Sequence, residues 1–199
     1  MNEQFLTRDS LLRRARDPKD EQAWEEFVLY YKTFIFILLR QMRIPRQDCA
    51  DLTQTVLVKI WKKLATFDSE KAKFRTWLSA LIRNSVINHW DVVRRRNRRE
   101  EKYGEAVAEP PPGLPSSPEF DTIYQREWEA YVANLAMKNI RSEFKEQPMR
   151  IFEMALKNRS TAEISEALNV HASTVTRSRN KVRDRLIQEV RRLRDELEL

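Results

Sequence analysis

The sequence predicts an all-α protein of two helical domains on either side of a tether. Three observations carry that prediction. No run of alternating β-branched residues flanked by turn signals occurs in the 199 residues, so strands have no foothold. Apolar residues recur instead at spacings of three and four, the period of a helix with one buried face. The only two glycines, Gly104 and Gly113, share one window with five of the eight prolines: Pro110, Pro111, Pro112, Pro115 and Pro118. Proline lacks an amide donor and disfavours helix at the residue before it. Residues 104–118 are therefore expected as an extended tether between a domain at 1–103 and another at 119–199.

In the first domain, helices are expected at 8–16, 20–42, 47–66 and 71–100. Pro18 and Pro45 stand where helices begin or turn. The second helix carries Trp24, Phe27, Val28, Tyr31, Phe34, Ile35 and Leu38, one broad stripe to bury. Leu52, Val56, Lys59, Ile60 and Lys63 follow one face of the third, and Leu64 closes it. In the second domain, helices are expected at 119–140, 144–157, 160–168 and 172–197. The last repeats Val175, Val182, Leu186, Val190, Leu193 and Leu197, a seam that reads first as core and second as an oligomerisation stripe.

Composition narrows the function classes. Hydrophobic residues make up 41% of the chain and charged residues 34%, enough for a core beneath a large solvated surface. A net charge of +7 and a pI near 9.6 favour a polyanionic partner. One cysteine, Cys49, rules out an internal disulfide and fits a reducing compartment. The apolar run Thr33–Leu39 is too short to span a membrane. Arg8, Asp9, Arg13 and Arg14 interrupt any leader-like stretch, so a soluble, cytoplasmic protein without membrane insertion is expected. Glycine-rich phosphate loops, metal-ligand clusters and nucleophile–base arrangements are all missing, so neither an enzyme nor a cofactor is expected.

The fourth helix holds the most informative chemistry. At 100° per residue, Leu78, Ile82, Val86, His89 and Val93 fall on one side, expected to face the core. Trp77, Leu81, Asn84, Asn88, Asp91 and Arg95 fall on another. Arg94, Arg95, Arg96, Arg98 and Arg99 then fill five of six positions. Aromatic rings can stack an unpaired base for about 1–3 kcal/mol. Asparagine amides can read base edges, and guanidiniums neutralise phosphates. The set Phe74, Arg75, Trp77, Asn84, Asn88, Asp91, Arg94 and Arg95 is accordingly the candidate surface for nucleic acid with exposed bases. The polar loop at 66–73, beside Phe74 and Arg75, is placed to wall a pocket for one such base.

A second block reads duplex. Ser160-Thr-Ala-Glu163 is a capping box opening a short helix with Ile164, Ala167 and Leu168. Asn169 follows where an interhelical turn needs a residue tolerant of positive φ. Val170 packs the turn and Val175 points inward from the next helix. This is helix-turn-helix spacing, whose second helix enters the major groove by its N-terminal residues. Ser173, Thr174, Thr176 and Arg177 are expected to face bases; Arg179, Asn180, Lys181 and Arg183 are expected along the phosphates.

Taken together, the motifs resemble those of bacterial RNA polymerase sigma factors of the extracytoplasmic-function (ECF) group, which hold sigma regions 2 and 4 joined by a linker. The resemblance covers about 20–100 and 140–195. Its region 2 pattern appears as Asp51–Gln54, Phe67–Asp68, Phe74–Leu78 and Arg83–Asn84 running into Arg94–Arg99. It implies that the helix after Asp51 docks on the clamp coiled coil of the polymerase largest subunit, with Asp51, Gln54, Lys59, Trp61 and Lys62 as contacts. It implies further that 66–95 recognises and melts the −10 promoter element by capturing a flipped base, and that 160–186 reads the −35 element. Core RNA polymerase (clamp coiled coil and flap), promoter DNA and an anti-sigma factor are the implied partners. The chain departs from the family pattern at Asn88-His89, where an Ile-Asp pair is usual, and at Ser178-Arg179. The competing reading is a helix-turn-helix regulator that binds duplex DNA as a dimer, using 119–157 to dimerise and no polymerase. A helical adaptor that binds only protein is the third.

Overall fold

A computed structural model describes residues 8–17, 19–68, 70–100 and 118–197. The fold is all-α, and no strand occurs among the described residues. Among the described residues eight helices follow in order: α1 (Arg8–Ala15), α2 (Glu21–Gln41), α3 (Arg46–Leu64), α4 (Phe74–Glu100), α5 (Pro118–Ile140), α6 (Glu146–Leu156), α7 (Thr161–Leu168) and α8 (Ala172–Leu197). A 3-10 turn at Arg141–Glu143 links α5 to α6. The tether expected at 104–118 lies outside the described residues except for Pro118. That proline opens α5, where its missing amide has no helical acceptor to lose.

The chain divides into two compact units, one running to Glu129 and the other Ala130–Asp195. The division falls inside α5, not at the expected start of the second domain at 119. The cause is an aromatic stripe of period four. Phe120, Tyr124 and Trp128 are buried, and the last two stand 5.4 and 5.0 Å from Phe34 of α2.

Local chemistry sets the helix ends in the first unit. Asp20 caps α2 by accepting from the Ala23 amide at 2.9 Å. Arg14 holds the same carboxylate at 2.8 and 3.2 Å, and this pair keeps the Asp20 carboxyl below its usual range. After α2, Arg43 turns the chain at φ 58°, and Pro45 precedes the first residue of α3. The start of α4 moves from the expected 71 to Phe74. Asp68 is the reason: its side chain accepts from the Glu70 amide at 3.0 Å and its carbonyl from Lys71 at 3.3 Å, which fixes a turn there.

The core of this unit is the buried face of α2 against α3 and α4. Phe27, Tyr31 and Phe74 meet with ring centroids 4.4–5.9 Å apart, a spacing at which aromatic pairs add about 0.5–1.5 kcal/mol beyond burial. Cys49 is buried, and desolvation raises its thiol pKa, so it is an inert core residue.

In the second unit, Ile151, Ile164 and Val175 form one cluster, and Ile140, Met149, Phe152 and Val182 form another. Of the expected seam on α8, Val175, Val182 and Leu193 are fully buried, so they read as core. Glu189 is buried on the same helix and receives Asn139 Nδ2 at 2.9 Å, Arg192 at 2.5 and 3.0 Å, and Arg185 at 3.2 Å. A carboxylate can be buried only with such partners.

Candidate nucleic-acid interface

On α4 the period-3.6 pattern separates a buried arc from an exposed one, with differences from expectation at the edges. Leu78, Ile82 and Val86 are fully buried, as their spacing requires. His89 and Val93 are only half-buried, and Trp90 and Ser85 take the buried positions nearby. Asn84, Asn88, Arg94 and Arg95 are exposed, and Asp91 is half-exposed. Asp91 accepts from Arg94 at 2.7 Å through its side chain and from Arg95 at 3.1 Å through its carbonyl. Those two contacts splay the guanidiniums along the helix beside the amides. The structure thus brings together a polar, cationic stripe of five candidate residues.

Four expectations, three of them aromatic or apolar side chains, are corrected. Phe74 has no exposed surface: it is wedged between Phe27, Tyr31, Phe67 and Trp77, so it offers no face to a base. Trp77 is half-buried because the chain before α4 folds back, placing Phe67 5.3 Å and Phe74 5.4 Å from its ring. Leu81 is buried at the margin of the arc. Arg75 is half-buried and turned toward α5, where it donates to Gln125 and lies 6.0 Å from the Trp128 ring. The wheel placed these side chains by angle alone. Neighbouring elements cover them.

Of the residues expected to touch a partner protein, Asp51, Gln54 and Lys62 are exposed and Trp61 is half-exposed. Lys59 is corrected: its Nζ donates to Ser85 Oγ at 3.1 Å, a link from α3 to α4 inside the unit. Beside Gln54 and Trp61 the structure shows an apolar groove that the helix periodicity does not reveal. Trp24, Val28, Leu57 and Val58 line it, and Leu29 stands at its edge, 75% exposed. Trp24 and Val28 share the α2 stripe expected to be core, yet they sit at its margin. Trp24 meets Trp61 edge-on at 4.8 Å across the groove. Contiguous exposed apolar surface of this kind marks an interaction site.

In the second unit, the capping box forms as expected. Glu163 N donates to Ser160 Oγ at 3.3 Å, and the Glu163 carboxylate accepts from the Ser160 hydroxyl and from Ser160 N, each at 2.7 Å, which holds that carboxyl below its usual range. Asn169 adopts the left-handed conformation at φ 49°, ψ 52°, and α8 starts at Ala172. Ser173, Thr176, Arg177 and Lys181 are exposed, and Thr174 and Asn180 are half-exposed. Lys181 also lies 6.0 Å from the Phe144 ring. Ser178 and Arg179 are half-buried where a core aliphatic is common.

No described helix is long and apolar enough to cross a membrane. Among the described residues no three metal-ligating side chains converge.

The helical unit thus presents an exposed amide–arginine stripe on α4 and an apolar groove between α2 and α3. Residues 27–99 match Sigma-70 region 2. The chain is also similar to the ECF RNA polymerase sigma factor SigK of Mycobacterium tuberculosis, 26% identical over 102 residues, 51% of this chain and 54% of that protein. It is 27% identical to the ECF RNA polymerase sigma factor RpoE of Cereibacter sphaeroides over 79 residues, 40% of this chain and 44% of that protein. The chain thus matches about half the length of these curated relatives. A solved structure of CnrH in complex with the cytosolic domain of CnrY is similar at a TM-score of 0.35 and 18% identity, covering 90% of this chain and 94% of that one. Over 27–99 the chain is similar to Sigma-70 region 2, and over about half its length it is similar to ECF RNA polymerase sigma factors.

Proposed function

We propose that this chain is a promoter-specificity subunit of bacterial RNA polymerase, without catalysis of its own, acting in transcription initiation. One observation carries the reading: a single Sigma-70 region 2 unit presents two chemically different surfaces. The apolar groove of Trp24, Val28, Leu57, Val58 and Trp61 suits a helical protein partner, and with Asp51, Gln54 and Lys62 at its side it is the polymerase-docking face. The α4 stripe of Asn84, Asn88, Asp91, Arg94 and Arg95 suits unpaired bases and their phosphates, the requirement for recognising and melting a −10 element.

Base extraction during opening costs a few kcal/mol of stacking and pairing, offset by contacts to the separated strand. With Phe74 in the core, those contacts rest on the amides, the arginines and the exposed edge of Trp77. The α8 N-terminus, with Ser173, Thr174, Thr176 and Arg177 toward bases and Asn180 and Lys181 toward phosphates, reads the −35 element as duplex. An anti-sigma protein is a further partner implied by the family relationship.

Co-purification with core RNA polymerase tests the docking face. The wild-type chain binds stoichiometrically, and Val58→Asp abolishes binding while leaving the helical signal unchanged. Tight duplex binding without any polymerase association would favour the dimeric helix-turn-helix regulator instead.

A further inference from the structure

Two α4 arginines are held by the beginning of α5. Arg83 donates to Asp121, and its guanidinium lies 4.6 Å over the Phe120 ring. Arg75 donates to Gln125, and its carbonyl accepts from Tyr124 Oη at 3.2 Å. Residues 118–129 therefore combine two kinds of contact. Phe120, Tyr124 and Trp128 anchor the segment by burial, while Asp121 and Gln125, one residue beyond two of the anchors, engage the arginines.

The polar contacts are the weaker part. The Asp121 side chain is 63% exposed and that of Arg83 31%, and pairs this wet contribute little to stability. Arg83 Nε is buried without a hydrogen-bond partner, so Asp121 satisfies only part of the guanidinium fork. A phosphate or carboxylate engages such a fork best in two parallel bonds. Around the α4 axis Arg83 lies within about 20° of Arg94, roughly three turns away. A strand following Asn84, Asn88 and Arg94 would pass Arg83.

We propose that residues 118–129 are an autoinhibitory strap: Asp121 and Gln125 hold Arg83 and Arg75 in the place of phosphates, and nucleic acid on α4 displaces them. The strap rests on the reading of α4 as a nucleic-acid surface. The aromatic anchors keep the segment folded on the unit, while the polar pairs, with the Phe120 and Trp128 rings beneath the guanidiniums, restrain the arginines.

The test uses the full chain and a fluorescent oligothymidylate of about 20 nucleotides, with dissociation constants measured across a salt series. Each additional phosphate that the protein neutralises on a single strand steepens the log Kd against log salt slope by about 0.7. Asp121→Asn/Gln125→Ala is expected to tighten binding several-fold at low salt and to steepen the slope by about 0.7–1.4. Adding Arg83→Gln is expected to reverse most of that tightening. Glu25→Gln makes the same charge change as Asp121→Asn on exposed α2 surface and is expected to leave the slope unchanged. Asp121→Asn alone, isosteric at an exposed carboxylate, keeps the test valid if the double variant folds poorly. If both Asp121 variants match Glu25→Gln while Arg94→Ala still flattens the slope, the strap is wrong and the α4 reading stands. If Arg94→Ala and Arg95→Ala leave the slope unchanged, the α4 reading falls and the strap with it.

Discussion

Lys59 Nζ donates to Ser85 Oγ at 3.1 Å, and Ser85 Oγ in turn donates to the Leu81 carbonyl at 2.9 Å. This relay joins α3, which lines the apolar groove, to α4, which carries the amide–arginine stripe. Lys59 therefore acts as a brace between surfaces. Ser85→Ala and Lys59→Met are expected to behave alike: each loses about 1 kcal/mol of stability, keeps polymerase affinity within about twofold, and slows promoter opening. Thermal unfolding and a polymerase titration check this. A large affinity loss in Lys59→Met alone would return Lys59 to the docking face.

Buried and exposed members of the α4 set are expected to separate cleanly. Phe74→Ala removes a fully buried ring and is expected to cost about 3–5 kcal/mol. Asn84→Ala and Asn88→Ala change exposed side chains and are expected to stay within about 0.5 kcal/mol of wild type in stability. They should nevertheless reduce opening more than closed-complex formation. Chemical denaturation paired with an opening assay makes the comparison, and equal losses of opening and duplex affinity would contradict the assignment.

Acid should loosen the second unit first at Glu189. Hydrogen bonding from Arg192, reinforced by Asn139 and Arg185, lowers its pKa to about 2, against about 4.3 for a free glutamate. A depressed carboxyl stabilises the fold above its unfolded pKa, and that stability disappears as pH falls from about 4.3 toward 2. The full effect is at most about 3 kcal/mol. Glu189→Gln is expected to lower Tm at pH 7 and to flatten the acid limb of a stability–pH curve. An unchanged acid limb would contradict this.

At the helix-turn-helix, Ser160→Ala removes the side-chain cap of α7 and is expected to cost about 1 kcal/mol without changing sequence preference. Arg177→Ala is expected to leave Tm unchanged and weaken −35 recognition by about 1–3 kcal/mol. Competition binding with matched and scrambled −35 duplexes separates the two. Loss of discrimination in the cap variant would show that the turn, not Arg177, sets it.

Where the fold depended on local signals, the sequence was legible. The capping box at Ser160, the left-handed Asn169 and the proline at the head of α3 each act over a few residues, and each lies where its chemistry places it. The candidate site was legible in its polar half: Asn84, Asn88 and Arg95 are exposed because no described residue packs over that side of α4. Its aromatic half was not. Phe74 is covered by Phe67 and by α2, Trp77 by Phe67 and Phe74, and Arg75 by α5, contacts that the helix period of α4 does not encode. The docking groove failed to show for the converse reason: Trp24 and Val28 follow the helix period of core residues, and only the course of α3 leaves them at an open margin. The role of Phe120, Tyr124 and Trp128 in the first unit was hidden behind a proline-rich tether that suggested a domain boundary.

Permanganate footprinting of the reconstituted polymerase on a promoter pool tests the central claim most directly, because only unstacked thymines react. The account predicts reactive thymines near −10 that depend on this chain, disappear with Asn84→Ala/Asn88→Ala and persist with Arg177→Ala at saturating protein. Polymerase that binds the chain and the promoter yet leaves every thymine protected would contradict it.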